Sequence, residues 1–210
     1  MGALFLSTFV TLFVVIDPIG CAPIFGGLTP GASQRAATAI ALRATSIASI
    51  ILFTFALVGA RLLSALGIGM DAFRIAGGLM LFLIALEMVF EKRTERDHDR
   101  AEEVLHASPP VNDISVFPMA MPMIAGPGSI ATVMLLMGRA QGWAQIVTVL
   151  AALATVLTVM LCALLAARPI MRLLGTQVEA VMTRVLGVLL GALAVQYVLD
   201  GVRGAIHAAH

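Results

Sequence analysis

The sequence predicts an all-α membrane protein: six transmembrane helices in two inverted three-helix repeats, with helices 1 and 4 discontinuous. Three observations predict it. Of 210 residues, 60% are hydrophobic and only 12% charged, with a mean hydropathy of +1.02, whereas soluble domains carry about 25% charged residues. Six apolar runs have the roughly 17–25 residues that a bilayer-spanning helix needs. The runs fall into two groups of three that resemble each other. So few charges cannot clothe a water-soluble surface, which excludes an ordinary soluble enzyme and a disordered chain. A net charge of +1 leaves no basic face for nucleic acid. Helices are required because lipid offers the backbone no hydrogen-bond partners. The short alternating strands of a membrane barrel are not visible.

The first run is Ala3 to Leu28, interrupted by Asp17-Pro18. No Lys/Arg-rich stretch precedes it, so it reads as a retained helix and not a signal peptide. The second is Ala36 to Ala60, containing Arg43; the third is Asp71 to Phe90, with Glu87 near its end. The fourth, Ile114 to Met137, is interrupted by prolines and glycines; the fifth, Ala144 to Ala167, is uncharged up to its end; the sixth is Val178 to Val202. Arg43, Glu87, Arg74 and Arg184 lie near span ends, where snorkelling to the interface accounts for them.

Between runs three and four, residues 91–113 hold 11 of the 25 charged side chains and end in Pro109-Pro110 before Val111. This reads as a solvated linker joining a first repeat, 1–90, to a second, 114–210. Orientation follows from Lys and Arg in short loops. One side holds Arg35, Lys92, Arg93, Arg96, Arg100, Arg168 and Arg172; the other holds Arg61, Arg139, Arg203 and at most Arg74. The linker is therefore expected in the cytoplasm of a bacterial inner-membrane protein, with both termini outside. The two cysteines, Cys21 and Cys162, sit in apolar runs and offer neither a disulfide framework nor metal-ligand spacing. No metal or cofactor is expected, and no enzyme activity.

Three matches carry the repeat. Arg74-x-x-Gly77 opens span three as Arg184-x-x-Gly187 opens span six, an offset of 110. Ile16-Asp17-Pro18-Ile19-Gly20 matches Ala125-Gly126-Pro127-Gly128-Ser129 at 109, and Arg61-Leu62-Leu63 matches Arg172-Leu173-Leu174 at 111. Three spans per unit make the second unit enter the membrane from the opposite face. In such architectures the site lies where matched Gly/Pro-interrupted helices meet.

The breaks supply the candidate site residues. In Asp17-Pro18-Ile19-Gly20-Cys21-Ala22-Pro23, two prolines five apart with a glycine between them are expected to unwind the helix. Asp17 as N-cap and Pro18 at the first position would restart it. Pro118, Pro122, Gly126-Pro127-Gly128 and Ser129 repeat the device. Facing half-helix N-termini would hold the carboxylate of a small zwitterion, unwound carbonyls its ammonium, and glycines would admit it close to the backbone. Asp17 would bind the ammonium or carry a coupling proton; alternatively it only caps the restarted helix. Kinks also arise for purely structural reasons.

Phe13–Phe25 (FVVIDPIGCAPIF) and Pro118–Leu136 (PMAMPMIAGPGSIATVMLL) resemble the two signature segments of the MarC family. These are six-span membrane proteins of bacteria and archaea that include SnatA-type neutral amino acid transporters. The similarity runs over the whole chain. It implies a proton- or cation-coupled transporter of small neutral amino acids such as glycine and alanine. It implies site roles for Asp17, Pro18, Gly20 and Pro23, and for Gly126, Pro127, Gly128 and Ser129. Cys21 departs from the pattern, standing where many relatives carry a polar amide, and it enters the substrate-binding set on that account. Other readings are an exporter of metal ions or other small solutes, or a non-transport membrane protein of the antibiotic-resistance-associated type. A metal exporter would want several intramembrane Asp, Glu or His residues, yet all four His lie in the linker or the tail. A thiol–disulfide carrier would want its cysteines at equivalent places in the two repeats.

Overall fold

The computed structural model describes residues 1–90 and 114–208, apart from the side chains of residues 168, 170–180 and 208. The charged linker expected at 91–113 lies outside the described residues. Among the described residues all regular structure is helical. Among the described residues five helical stretches are long and apolar enough to cross a membrane, or six if the bent pair is one span.

Helix α1 (Gly2–Ile16) ends because Asp17 adopts a left-handed conformation, φ 56° and ψ 67°. Helix α2 (Pro18–Leu28) restarts at once, with Asp17 as its cap and Pro18 at its first position, where the missing N–H costs nothing. Helix α3 (Gln34–Ala65) begins under the Ser33 hydroxyl, which accepts from the Ala36 N–H at 3.2 Å. It ends at Gly67, which supplies a positive φ of 71°. Helix α4 (Met70–Val89) completes the first half.

The fourth span is a bent pair. Ser115–Ile124 runs in wide turns, with Phe117 and Met121 in extended conformation. Each directly precedes a proline, Pro118 and Pro122. Helix α5 (Pro127–Arg139) follows at 50° to it. Helix α6 (Gly142–Leu165) and helix α7 (Ala167–Ala208) are separated by Ala166 alone. The sequence expects a loop around Arg168 and Arg172; instead the backbone of α7 is already helical there, and the stretch with spanning composition is Val181–His207.

The two halves exchange partners. Helix α1 packs on α6, and Ser115–Ile124 packs on α3; α2 also lies on α6, and α5 on α3. Helix α2 touches α7 as α5 touches α4, and the most extensive contact joins α4 to α7. Glycines define the register of that contact. A Cβ on Gly78 would meet the Ala194 carbonyl and Val198, and one on Gly187 would meet the Ala85 carbonyl and Val89. Both sets obey an offset of 109, the offset of the two breaks. The sequence alignment of Gly77 with Gly187 is thus one residue out of register: Gly78 is the structural counterpart. Gly77 instead faces Leu135 and Ala131 of α5.

The core behind both breaks is built from small and aliphatic side chains: Ala22, Ala41, Ala44, Ala48, Ala120 and Ala125 are all fully buried, alongside Leu52 and Ile124. Alanine on facing helices lets backbones approach closely, which is how helices associate in lipid.

Candidate functional site

The first break is narrower than the sequence predicts. Unwinding is confined to Asp17, and Pro23 is carried inside α2. A proline removes one backbone bond of a helix, and the turn around it is otherwise held. The Cys21 N–H reaches the Asp17 carbonyl at 3.1 Å.

Redirected hydrogen bonds explain why one residue suffices. In an unbroken helix the Gly20 N–H would bond to the Ile16 carbonyl. Here it goes to Oδ1 of Asp17 at 3.0 Å. The carbonyl of Ile16 is met by the Cys21 thiol, with Sγ 3.7 Å away. Asp17 is 3% exposed, and its carboxyl sits at the positive end of α2. Gly20 is demanded by this arrangement, because a Cβ there would lie 2.5 Å from Oδ2 of Asp17.

The second break is built differently. Gly126 is the cap residue of α5, and no side chain caps that helix end. A Cβ on Gly126 would strike the Pro122 carbonyl. Gly128 lies against α4 and α1: its missing Cβ would meet Ile84, with Leu81 and Val15 close behind. Val15 belongs to the last turn of α1, so the structure brings the two breaks side by side. The Thr132 hydroxyl donates to the Gly128 carbonyl at 2.7 Å and braces the first turn of α5. Thr132, Ile84 and Val15 escape the sequence reading, although a threonine four residues after a break glycine is a usable signal. Gly126, Gly128 and Ser129 are buried, as are Pro18 and Cys21; Gly20 and Pro23 are half-buried, and Pro127 is exposed.

The two breaks are therefore complementary, not alike. The sequence expects both helix ends to be open to an anion. At α2 that place is filled by Asp17 itself. At α5 the N–H groups of Gly128 and Ser129 have no side-chain cap, and Pro127 has no N–H to offer. One break supplies a carboxylate and the other a positive helix end. Among the described residues no group of three His, Cys, Asp or Glu is placed to hold a metal ion.

Comparison with known proteins agrees with the architecture. The family model described as MarC family integral membrane protein matches residues 2–206. A UPF0056 membrane protein of Methanocaldococcus jannaschii is 34% identical over 202 residues, covering 96% of this chain and 97% of its own length. A UPF0056 membrane protein of Archaeoglobus fulgidus is 35% identical over 198 residues, 94% of this chain and 91% of its own. The UPF0056 membrane protein YvbG of Bacillus subtilis is 33% identical over 207 residues, 97% of this chain and 96% of its own. No solved structure matches significantly.

Proposed function

The chain belongs to the MarC family of integral membrane proteins, and from that premise we propose that it is a secondary transporter of small neutral amino acids of glycine or alanine size. It works in the bacterial inner membrane, with both termini outside and the linker in the cytoplasm. The observation that carries the reading is the complementary pair of breaks. A zwitterion needs an anionic partner for its ammonium and a donor for its carboxylate, about one residue length apart. Asp17 keeps Oδ2 for the ammonium after Oδ1 has taken the Gly20 N–H. The uncapped start of α5 offers N–H groups and a positive helix end to the carboxylate. Gly126 and Gly128 are packed against the Pro122 carbonyl and the tip of Ile84, so a substrate of glycine or alanine size would enter as the flexible Ile84 side chain moves aside. A proton or cation coupled to transport meets the same carboxylate. The reciprocal packing of the halves supports alternating access by rocking one repeat against the other.

The test is reconstitution in liposomes with labelled glycine or alanine, with and without an imposed proton gradient. Saturable uptake driven by the gradient is expected, and its absence in correctly folded protein would sink the reading. Uptake that keeps its gradient dependence in Asp17→Asn would remove the coupling role from that residue. A reporter fused to the C-terminus should be active outside the cytoplasm.

A further inference from the structure

The intramembrane hydroxyls follow one habit. Thr29, Ser49, Thr132, Thr148, Thr155 and Thr158 each donate to the carbonyl four residues back, at 2.7–2.8 Å. That bond hides a hydroxyl proton from hydrocarbon. Thr8, Thr45 and Thr183 depart from the habit: each is buried, and its Oγ1 has no hydrogen-bond partner. A buried hydroxyl left unpaired costs about 1–3 kcal/mol, so a partner that comes and goes is the natural complement.

Thr45, Ser46, Ser49 and Thr158 form the polar part of a cleft of about 420 Å³ between α3 and α6, whose remaining walls are apolar, Ile50, Phe53 and Leu161 among them. Ser49 and Thr158 stand at the offset of 109 that relates the two breaks, so the cleft straddles the line between the halves. A smaller recess continues along the same seam, lined by Thr29, Gln34 and Thr38 beside Leu164. Polar groups thus run from the end of α2 to the middle of α3.

We propose that the α3–α6 cleft is a second binding site for a small zwitterionic amino acid, reached from water along the seam. This rests on the amino-acid transport reading of the breaks. Ser49 and Thr158 give their protons to their own helices, so what their oxygens have left to offer is acceptor lone pairs, which suit an ammonium. Thr45 keeps its proton, and its hydroxyl, covered in this conformation, would suit a carboxylate once turned toward the cleft. Two acceptors and one donor, with no ionised side chain, match a zwitterion weakly. A site passed in transit must bind in that way, because it has to release what it takes.

Full-length protein in liposomes tests this in a Cys162→Ser background, with Thr45→Cys, Ser49→Cys or Thr158→Cys introduced singly. A charged, membrane-impermeant methanethiosulfonate is expected to modify each thiol. Glycine at about ten times its half-saturating level should slow the reaction roughly tenfold, since only unoccupied sites react. Protection at Thr158→Cys should survive Thr45→Ser and vanish in Thr45→Val. Thiols that react only with a lipid-soluble maleimide place acyl chains in the cleft and overturn the proposal. Thiols that react from water without any glycine effect also overturn it. Glycine flux without protection rejects the cleft and leaves the transport reading intact. Protection without flux rejects transport and leaves the site.

Discussion

The carboxylate of Asp17 and the backbone of Gly20 specify each other. Oδ1 accepts the Gly20 N–H at 3.0 Å, and a Cβ on Gly20 would fall 2.5 Å from Oδ2. Asp17→Asn preserves an acceptor for the cap and tolerates the left-handed backbone, so melting should change little. Asp17→Ala loses both and should cost about 0.5–2 kcal/mol. Glycine uptake separates the roles. If Oδ2 holds the substrate ammonium, Asp17→Asn loses a charged hydrogen bond of about 1.5–3 kcal/mol, or roughly ten- to hundredfold in half-saturating concentration at unchanged melting temperature.

The division between what sequence reveals and what it hides runs through this pair. Asp17-Pro18 announces a helix restart by residue type alone, because a cap and a proline at the first position are local requirements. The six spans are legible for the same reason: length and apolarity are demanded by lipid, not by neighbours. How far the helix unwinds depends on where freed carbonyls find donors, and the Cys21 thiol reaching Ile16 at 3.7 Å is a three-dimensional fact. So is the register of α4 on α7. Two adjacent glycines, Gly77 and Gly78, could each match Gly187, and only the close approach of Gly78 to the Ala194 carbonyl chooses between them. Thr45 carries no sequence signal, since its sequence neighbours do not reveal that its hydroxyl is left unpaired.

Cys21 should behave as a donor that happens to be sulfur. Cys21→Ala removes its bond to the Ile16 carbonyl and should cost about 0.5–1.5 kcal/mol. Cys21→Asn supplies a stronger donor in the same direction and should be less destabilising than Cys21→Val, which fills the volume without satisfying the carbonyl. Thermal melting in detergent ranks the three. Equal melting of Cys21→Ala and wild type would remove the structural role.

The glycines of the second break should separate folding from function. A Cβ at Gly126 meets the Pro122 carbonyl, which is backbone, so Gly126→Ala should be destabilised by about 1–3 kcal/mol. A Cβ at Gly128 meets chiefly the far end of Ile84, a side chain that can turn aside. Gly128→Ala should therefore melt near wild type and still lose glycine uptake, because the displaced Ile84 side chain crowds the start of α5. Uptake at the wild-type level would show that substrate does not approach there.

Arg139, in the last turn of α5, should hold that helix to α7. Its guanidinium pairs with Asp200 and lies 4.6 Å from the centroid of the buried Tyr197 ring. Gln196 donates to the other oxygen of Asp200 at 2.7 Å. The ion pair is about one-third exposed on each side, so its coupling should be small, about 0.2–1 kcal/mol. The ring contact adds about 0.5–1 kcal/mol at such a site. A double-mutant cycle of Arg139→Gln and Asp200→Asn should return the first figure, and Arg139→Gln with Tyr197→Leu the second. Arg139→Lys should recover part of the ion pair and less of the ring contact.

The contact between α4 and α7 gives the sharpest test of the two-fold relation. Gly78 and Gly187 stand at offset 109 and each faces the equivalent carbonyl and valine of the other helix. If the halves are structural equivalents, Gly78→Ala and Gly187→Ala should destabilise by similar amounts, about 1–3 kcal/mol each as overpacking. Gly78→Ala should be the worse, since its Cβ would lie 2.8 Å from the Ala194 carbonyl against 3.1 Å from the Ala85 carbonyl for Gly187. Gly191→Ala is the control: its Cβ would sit 3.6 Å from the Cβ of Ala85, an ordinary contact, and helix propensity favours alanine. It should melt at or above wild type. A damaging Gly191→Ala beside a harmless Gly78→Ala would mean that the helices cross elsewhere, and the 109-residue register would fall with it.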